Sequence, residues 1–251
     1  MSRANVPAAN GTRHLFSRRA LLVGAAATAV TGCATHDPQP PVTSYAPEPP
    51  RPDPYYVDMY RAMPDEKFPV PAIDISQIDQ RLLRQQVDYP TSERPGTIVV
   101  DPNERFLYLV QENGKAMRYG VGVGKAGFGW SGRAVMQYKR KWPRWTPTEN
   151  MIARDPELEE WRDGMEPGLE NPLGARALYL FEDGVDTLYR IHGTNEPWSI
   201  GQAMSSGCIR LLNQDIIDLY DRIPTGNPVL VKDSPPPMVA SATIPGIGRE
   251  F

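Results

Sequence analysis

The chain has 251 residues, 40% of them hydrophobic and 23% charged, which bounds the folded part at about one domain. It carries 27 Lys and Arg against 30 Asp and Glu. Removing the four arginines of residues 1–32 leaves 23 basic residues against 30 acidic ones, a net of −7 that argues against a nucleic-acid partner, which needs a basic face. Past the N-terminal 33 residues the chain offers His36, His192 and Cys208, one short of the four ligands a structural zinc site takes, so neither a metal nor another cofactor is expected.

Residues 1–32 read as a signal peptide. Arg3, Arg13, Arg18 and Arg19 occur there without an acid and precede the apolar run A-L-L-V-G-A-A-A-T-A-V, which ends at Val30. That run is shorter than the roughly 20 apolar residues a membrane span needs and fits an h-region. Arg18-Arg19 resemble a twin-arginine export signal, the other reading being an ordinary positive n-region. The V-T-G-C that follows resembles the end of a bacterial lipoprotein signal, which implies lipid on Cys33; the alternative is a plain signal-peptidase cut. A disulfide between Cys33 and Cys208 would tie the domain to the cleavage point, so none is expected.

Residues 33–71 hold 11 prolines and few aliphatic residues, the composition of an extended tether. Its later part, Y-Y-V-D-M-Y and F-P-V-P-A-I-D-I, regains apolar residues that can lie on the domain, as does the segment 72–95. Within it, Ile75, Ile78, Leu82, Leu83 and Val87 have near-helical spacing, which predicts a short helix or turn.

From Gly96 the period changes to that of strands. T-I-V-V-D, R-F-L-Y-L-V and A-M-R-Y-G-V-G-V-G follow one another, with Asn113-Gly114 as a hairpin turn. A-L-Y-L-F and T-L-Y-R-I-H flank Asp183-Gly184 as a second hairpin, placing His192 at a strand end. Between the hairpins, the basic run Lys139 to Trp145 reads as a solvated face, most tryptophans as core, and Met151 to Glu170 as a long excursion able to cover a substrate. N-Q-D-I-I-D-L-Y-D-R-I predicts a helix with Asn213 as N-cap and Pro224 and Gly226 as stops, and Val229 to Lys232 a closing strand. The domain 96–232 is therefore mainly β, with one or two short helices, and 233–251 is a tail.

The chemistry concentrates between His192 and Arg210. Cys208 is the one spare thiol and sits in S-S-G-C, a small-residue turn that lets backbone approach a substrate; it is the candidate nucleophile. His192 is the candidate general acid and base, able to take the thiol proton and return it to a leaving amine. The amides of Ser206, Gly207 and Cys208 are candidate oxyanion donors. Arg210 is read either as a brace for the thiol loop or as a ligand for a substrate carboxylate, the brace being favoured.

The segment I-H-G-T…S-S-G-C-I-R-L, together with Y-G-V-G-V-G-K-A-G-F-G-W-S-G, W-P-R-W-T-P-T and N-P-L-G-A-R-A-L-Y-L-F, resembles the L,D-transpeptidase catalytic domain of the YkuD type over about Thr97 to Lys232. The resemblance implies a β-sandwich or barrel-like fold with Cys and His at one end of the sheets. It implies peptidoglycan stem peptides as substrate: the thiol attacks the L-centre carbonyl of a diamino acid, releases D-Ala and holds the acyl group as a thioester. The Gly193 carbonyl would orient His192. Ser205 matches the family serine, while Ser206 stands where many members have histidine. The acceptor stays open among a second diaminopimelate, a Lys of an outer-membrane protein, a D-amino acid and water, the last making a carboxypeptidase or endopeptidase. With Cys33 lipidated and Ala34 following, the expected location is the periplasmic side of a Gram-negative outer membrane.

Overall fold

A computed structural model describes residues 52–125 and 129–233. Residues 1–51 and 234–251, and with them the expected signal peptide, Cys33, about half of the tether and nearly all of the tail, lie outside the described residues. The elements in chain order are α1 (Pro54–Met59), β1 (Gln85–Asp88), β2 (Ile98–Asp101), β3 (Phe106–Val110), β4 (Lys115–Gly120), β5 (Val123–Gly124), β6 (Gly132–Lys141) and α2 (Glu149–Arg154), then β7 (Arg176–Glu182), β8 (Val185–His192), β9 (Ala203–Ser205), β10 (Ile209–Arg210), α3 (Asn213–Arg222) and β11 (Asn227–Val231). The fold is mainly β, with three short α-helices among the described residues.

Nine strands form one sheet in the order β1-β4-β3-β2-β11-β6-β7-β8-β10, and β5 pairs with β9 separately. All neighbours in the large sheet are antiparallel except β2 with β11 and β8 with β10. Successive side chains of a strand point to opposite faces, and β2 shows both faces covered: Ile98 and Val100 join one core with Leu107, Met136, Leu178 and the α3 residues Ile216 and Leu219, while Val99 joins a second with Tyr108, Val110 and Ala116. Helix α3 lies on the first core, and Lys139 donates to Tyr220 O and Ile223 O at its C-terminal end, 2.6 Å each. A cation there satisfies orphan carbonyls and opposes the negative helix end, so this member of the basic run is a helix cap and not a solvated charge.

One sequence expectation for the helices, the Asn213 cap, is corrected. Of the short helix or turn expected over Ile75–Val87, turns form: Asp74 and Asp79 accept from the Ser76 and Arg81 amides, and each ends its turn after three 3₁₀ residues before β1 begins. Such aspartate turns offer the backbone an alternative to the helix. Asn213 is the first helical residue of α3, and Leu212 occupies the cap position. Residues 54–71, the later part of the tether, lie on the domain as their apolar residues allow: α1, a Met63–Val70 bridge and the buried Tyr60 and Val70 wrap them onto α3. No helix among the described residues is long and apolar enough to cross a membrane.

Candidate active site

Strand β8 ends at His192, and β10 runs parallel to it with Ile209 beside Ile191 and Arg210 beside His192. The Leu211 amide donates to His192 O at 2.8 Å and fastens the two ends. Cys208 directly precedes β10, so thiol and imidazole come to one cavity of about 570 Å³, to which the expected covering segment contributes Met151 and Leu158. That segment is structured, with Thr148 capping α2 through the Met151 amide and a 3₁₀ stretch over Pro156–Trp161.

His192 is buried, and its Nδ1 lies 2.6 Å from Gly193 O. A proton on Nδ1 makes that contact a hydrogen bond and leaves Nε2 as the free acceptor. Burial, then the positive charge of Arg210 and of Arg190, push the imidazole down to about 3, against a smaller opposing effect of the Gly193 carbonyl. Burial pushes the half-buried Cys208 thiol up, the Arg190 backbone and the Arg190 and Arg210 charges only partly offsetting it. The resting pair is a neutral thiol and a neutral imidazole, whereas the residue types alone suggest a thiol already activated by its neighbour.

Gly193 has no room for a side chain: a Cβ would meet the Asn213 carboxamide oxygen, the Ala175 amide and Ile216. Asn213 uses that oxygen to accept from Ala175 N and donates to Thr194 O, tying the strand ends around His192 to α3. Ser205 Oγ donates to Cys208 O at 2.7 Å and accepts from Gly207 N at 3.2 Å, so it braces the thiol turn. The Gly207 amide is thereby used within the turn, which corrects its expected role as an oxyanion donor. Gly207 itself sits at φ +132°, a conformation that L side chains rarely adopt. Ser206 is exposed and lines the cavity. Arg210 is paired with Glu196 at 2.6 Å and lines the cavity.

Sequence reasoning missed Arg190, Glu196 and the role of Asn213. Arg190 was within reach, since residues two apart on a strand share a side and it stands two before His192; the other two depend on folding partners distant along the chain. The tryptophans divide: Trp142 is buried, Trp145 lines the cavity, and Trp198 is exposed. Among the described residues no group of three or more His, Cys, Asp or Glu is placed to hold a metal ion.

A probable L,D-transpeptidase ErfK/SrfK of Escherichia coli is 35% identical over 159 residues, 62% of this chain and 50% of the relative. The probable L,D-transpeptidase YbiS of the same species is 32% identical over 162 residues, 60% of this chain and 49% of the relative. The chain thus spans about half the length of these relatives. A Brucella melitensis structure described as a probable carnitine operon oxidoreductase is 49% identical, with 60% of this chain and 94% of that one covered and a TM-score of 0.44. The family model for the YkuD L,D-transpeptidase catalytic domain matches residues 95–231, more than half of the sequence, and the chain belongs to that family.

Proposed function

We propose that the protein is a cysteine-dependent peptidoglycan L,D-transpeptidase. Cys208 Sγ attacks the L-centre carbonyl of the donor stem peptide while its proton passes to His192 Nε2. The tetrahedral oxyanion is met by backbone amides of the 206–208 turn, Ser206 and Cys208 being the candidates left once Gly207 is committed to Ser205. Collapse breaks the bond to the D-Ala nitrogen, which takes the proton from His192, and leaves a thioester. An amine acceptor then gives its proton to His192, forms the new amide and frees the thiol.

The observation that carries this reading is the His192 Nδ1 contact to Gly193 O at 2.6 Å beside the thiol turn, because a proton on Nδ1 there favours the tautomer that a general base requires. Membership of the family and the relatives' names support the substrate class. In the same reading the N-terminal region exports the enzyme and Cys33 anchors it by lipid at a periplasmic membrane face, within reach of the wall or of an outer-membrane protein acceptor.

The test is incubation of wild type and Cys208→Ala with disaccharide-tetrapeptide, read by mass spectrometry. A crosslinked dimer lacking one D-Ala, absent in the variant, is the expected result. Tripeptide without dimer assigns water or an unsupplied protein amine as acceptor. Turnover in the Cys208→Ala variant contradicts the proposal.

A further inference from the structure

Strand β8 departs from regular pairing just before it delivers His192. Phe181 stands opposite Asp186 and Tyr179 opposite Arg190, so residues 187–189 together face Leu180 alone. The chain absorbs the excess at Leu188, whose φ of +63° is a left-handed conformation that strains a bulky residue. Strain of this kind persists only where neighbours over-determine it, and here they are visible. Asp186 Oδ1 accepts from the Leu188 amide at 2.8 Å, and both Asp186 oxygens accept from the Arg190 guanidinium at 2.7 and 2.8 Å. Arg190 Nη1 also donates to Tyr189 O, Thr187 Oγ1 donates to Leu180 O, and the guanidinium lies 4.4 Å over the Tyr179 ring. Leu188 is exposed and lines the catalytic cavity.

The bulge fixes the direction of the next backbone groups. His192 O takes the Leu211 amide, so the backbone of residue 192 faces β10, and by the two-residue period that of residue 190 does too. The residue of the opposite chain at that level is Cys208, one before the Ile209–Ile191 pair. The Arg190 backbone N–H is thereby on the side of β8 that faces Cys208, and the Arg190 backbone opposes the upward push of burial on the thiol.

The geometry points to Asp186 as a positioning residue: by clamping Arg190 across the left-handed turn at Leu188, it keeps the Arg190 backbone N–H on the Cys208 sulfur, where the donor stabilises thiolate as the proton leaves. This rests on Cys208 being the nucleophile. It supplies what the neutral resting pair lacks, a stabilising donor for negative sulfur that is in place before substrate arrives, and it places that donor opposite the 206–208 turn. Asp186 touches neither substrate nor sulfur and acts through Arg190.

The test is the pH profile of iodoacetamide alkylation at Cys208 in the full chain, followed on the Cys208 peptide by mass spectrometry so that Cys33 does not contribute. The titratable and charged groups around the thiol are Tyr189, Arg190 and His192 from β8, Arg210 from β10, Arg154 from α2, and Asp155 and Glu196 from the segments that line the same cavity, and none of them is substituted in the variants. In Asp186→Ala the clamp is lost, and the alkylation midpoint rises by about one pH unit, roughly tenfold slower reaction at neutral pH. Asp186→Asn, which keeps an oxygen for the Leu188 amide, shifts less in the same direction and carries the test alone if the alanine variant does not fold. An unmoved midpoint overturns the inference. So does a lowered one, which is the effect of an Arg190 charge freed from Asp186 and acting through space alone. Turnover that survives in Cys208→Ala overturns the nucleophile reading instead, so the two failures are distinguishable.

Discussion

An imidazole removed from water and set beside two guanidinium groups holds a proton weakly, and His192 is in that position with its acidity shifted down to about 3. The expected consequence for catalysis is a kcat/KM profile without an acid limb near the ordinary histidine value; an inflection at pH ~6.5 would show a solvated, normally titrating histidine. For stability the sign is the same. With the folded value depressed below the unfolded one, the contribution of His192 is full above pH ~6.5 and is lost as pH falls towards about 3, so acid unfolding of His192→Gln is shallower in that window, as denaturant melts at several pH values would show. Gly193→Ala drives a methyl into Asn213 and the Ala175 amide and displaces the carbonyl that holds Nδ1. We expect at least a hundredfold loss of kcat with a smaller change in KM, measured by D-Ala release, since general acid–base catalysis contributes about 10²–10⁴-fold. At this scale the sequence exposes the candidates, because Cys208 and His192 are chemically singular in the folded part. It does not expose Asn213, Glu196 or Asp186, whose meaning lies in what they meet across the fold.

The two hairpins and the helix after Cys208 are legible because local rules decide them: strand alternation, Asn113-Gly114 and Asp183-Gly184 turns at positive φ, and an apolar face on α3. The pairings that bring the thiol to the imidazole are not legible, since β8 with β10 and β2 with β11 are parallel contacts between separated segments. Nor is the burial of Asp215 on α3. Its Oδ2 accepts from the Tyr60 hydroxyl at 3.2 Å, and that hydroxyl accepts from the Arg84 amide at 2.6 Å. Burial foremost, with Asp218 nearby and against the pull of Arg84, pushes the Asp215 carboxyl up to about 7. A raised carboxyl stabilises the fold fully below its unfolded value near 3.8, and that contribution is lost as pH rises through about 7. Wild type should therefore lose stability across that window relative to Asp215→Asn, whose curve is flatter; equal slopes in denaturant melts at several pH values would refute the assignment.

The described body extends beyond the matched family domain at its N-terminal side. Residues 54–84 bury Tyr60, Val70, Ile75 and Leu83 and set Leu82 against Gly120 and Gly201. Glu66 reaches from this strap to the buried Arg176 at 2.5 and 3.0 Å and accepts from Trp142 Nε1. Arg176 O in turn accepts from the Gly193 amide at 3.0 Å, so the strap is connected to the histidine end of β8. Removing one partner of a buried pair leaves an uncompensated charge, and Glu66→Ala is expected to cost about 3 kcal/mol in a denaturant melt. The proline content of this stretch reads as tether and its apolar residues as a surface able to dock; here the apolar residues decide. The proposed function requires the Cys208 thiol to carry an acyl group. The most direct measurement is the intact mass of the enzyme quenched within seconds of mixing with donor tetrapeptide, followed by peptide mapping. The account predicts an adduct of the donor less D-Ala on Cys208 that is labile to hydroxylamine and absent from Cys208→Ala. D-Ala release with no adduct at any time, or an adduct on another residue, would contradict it.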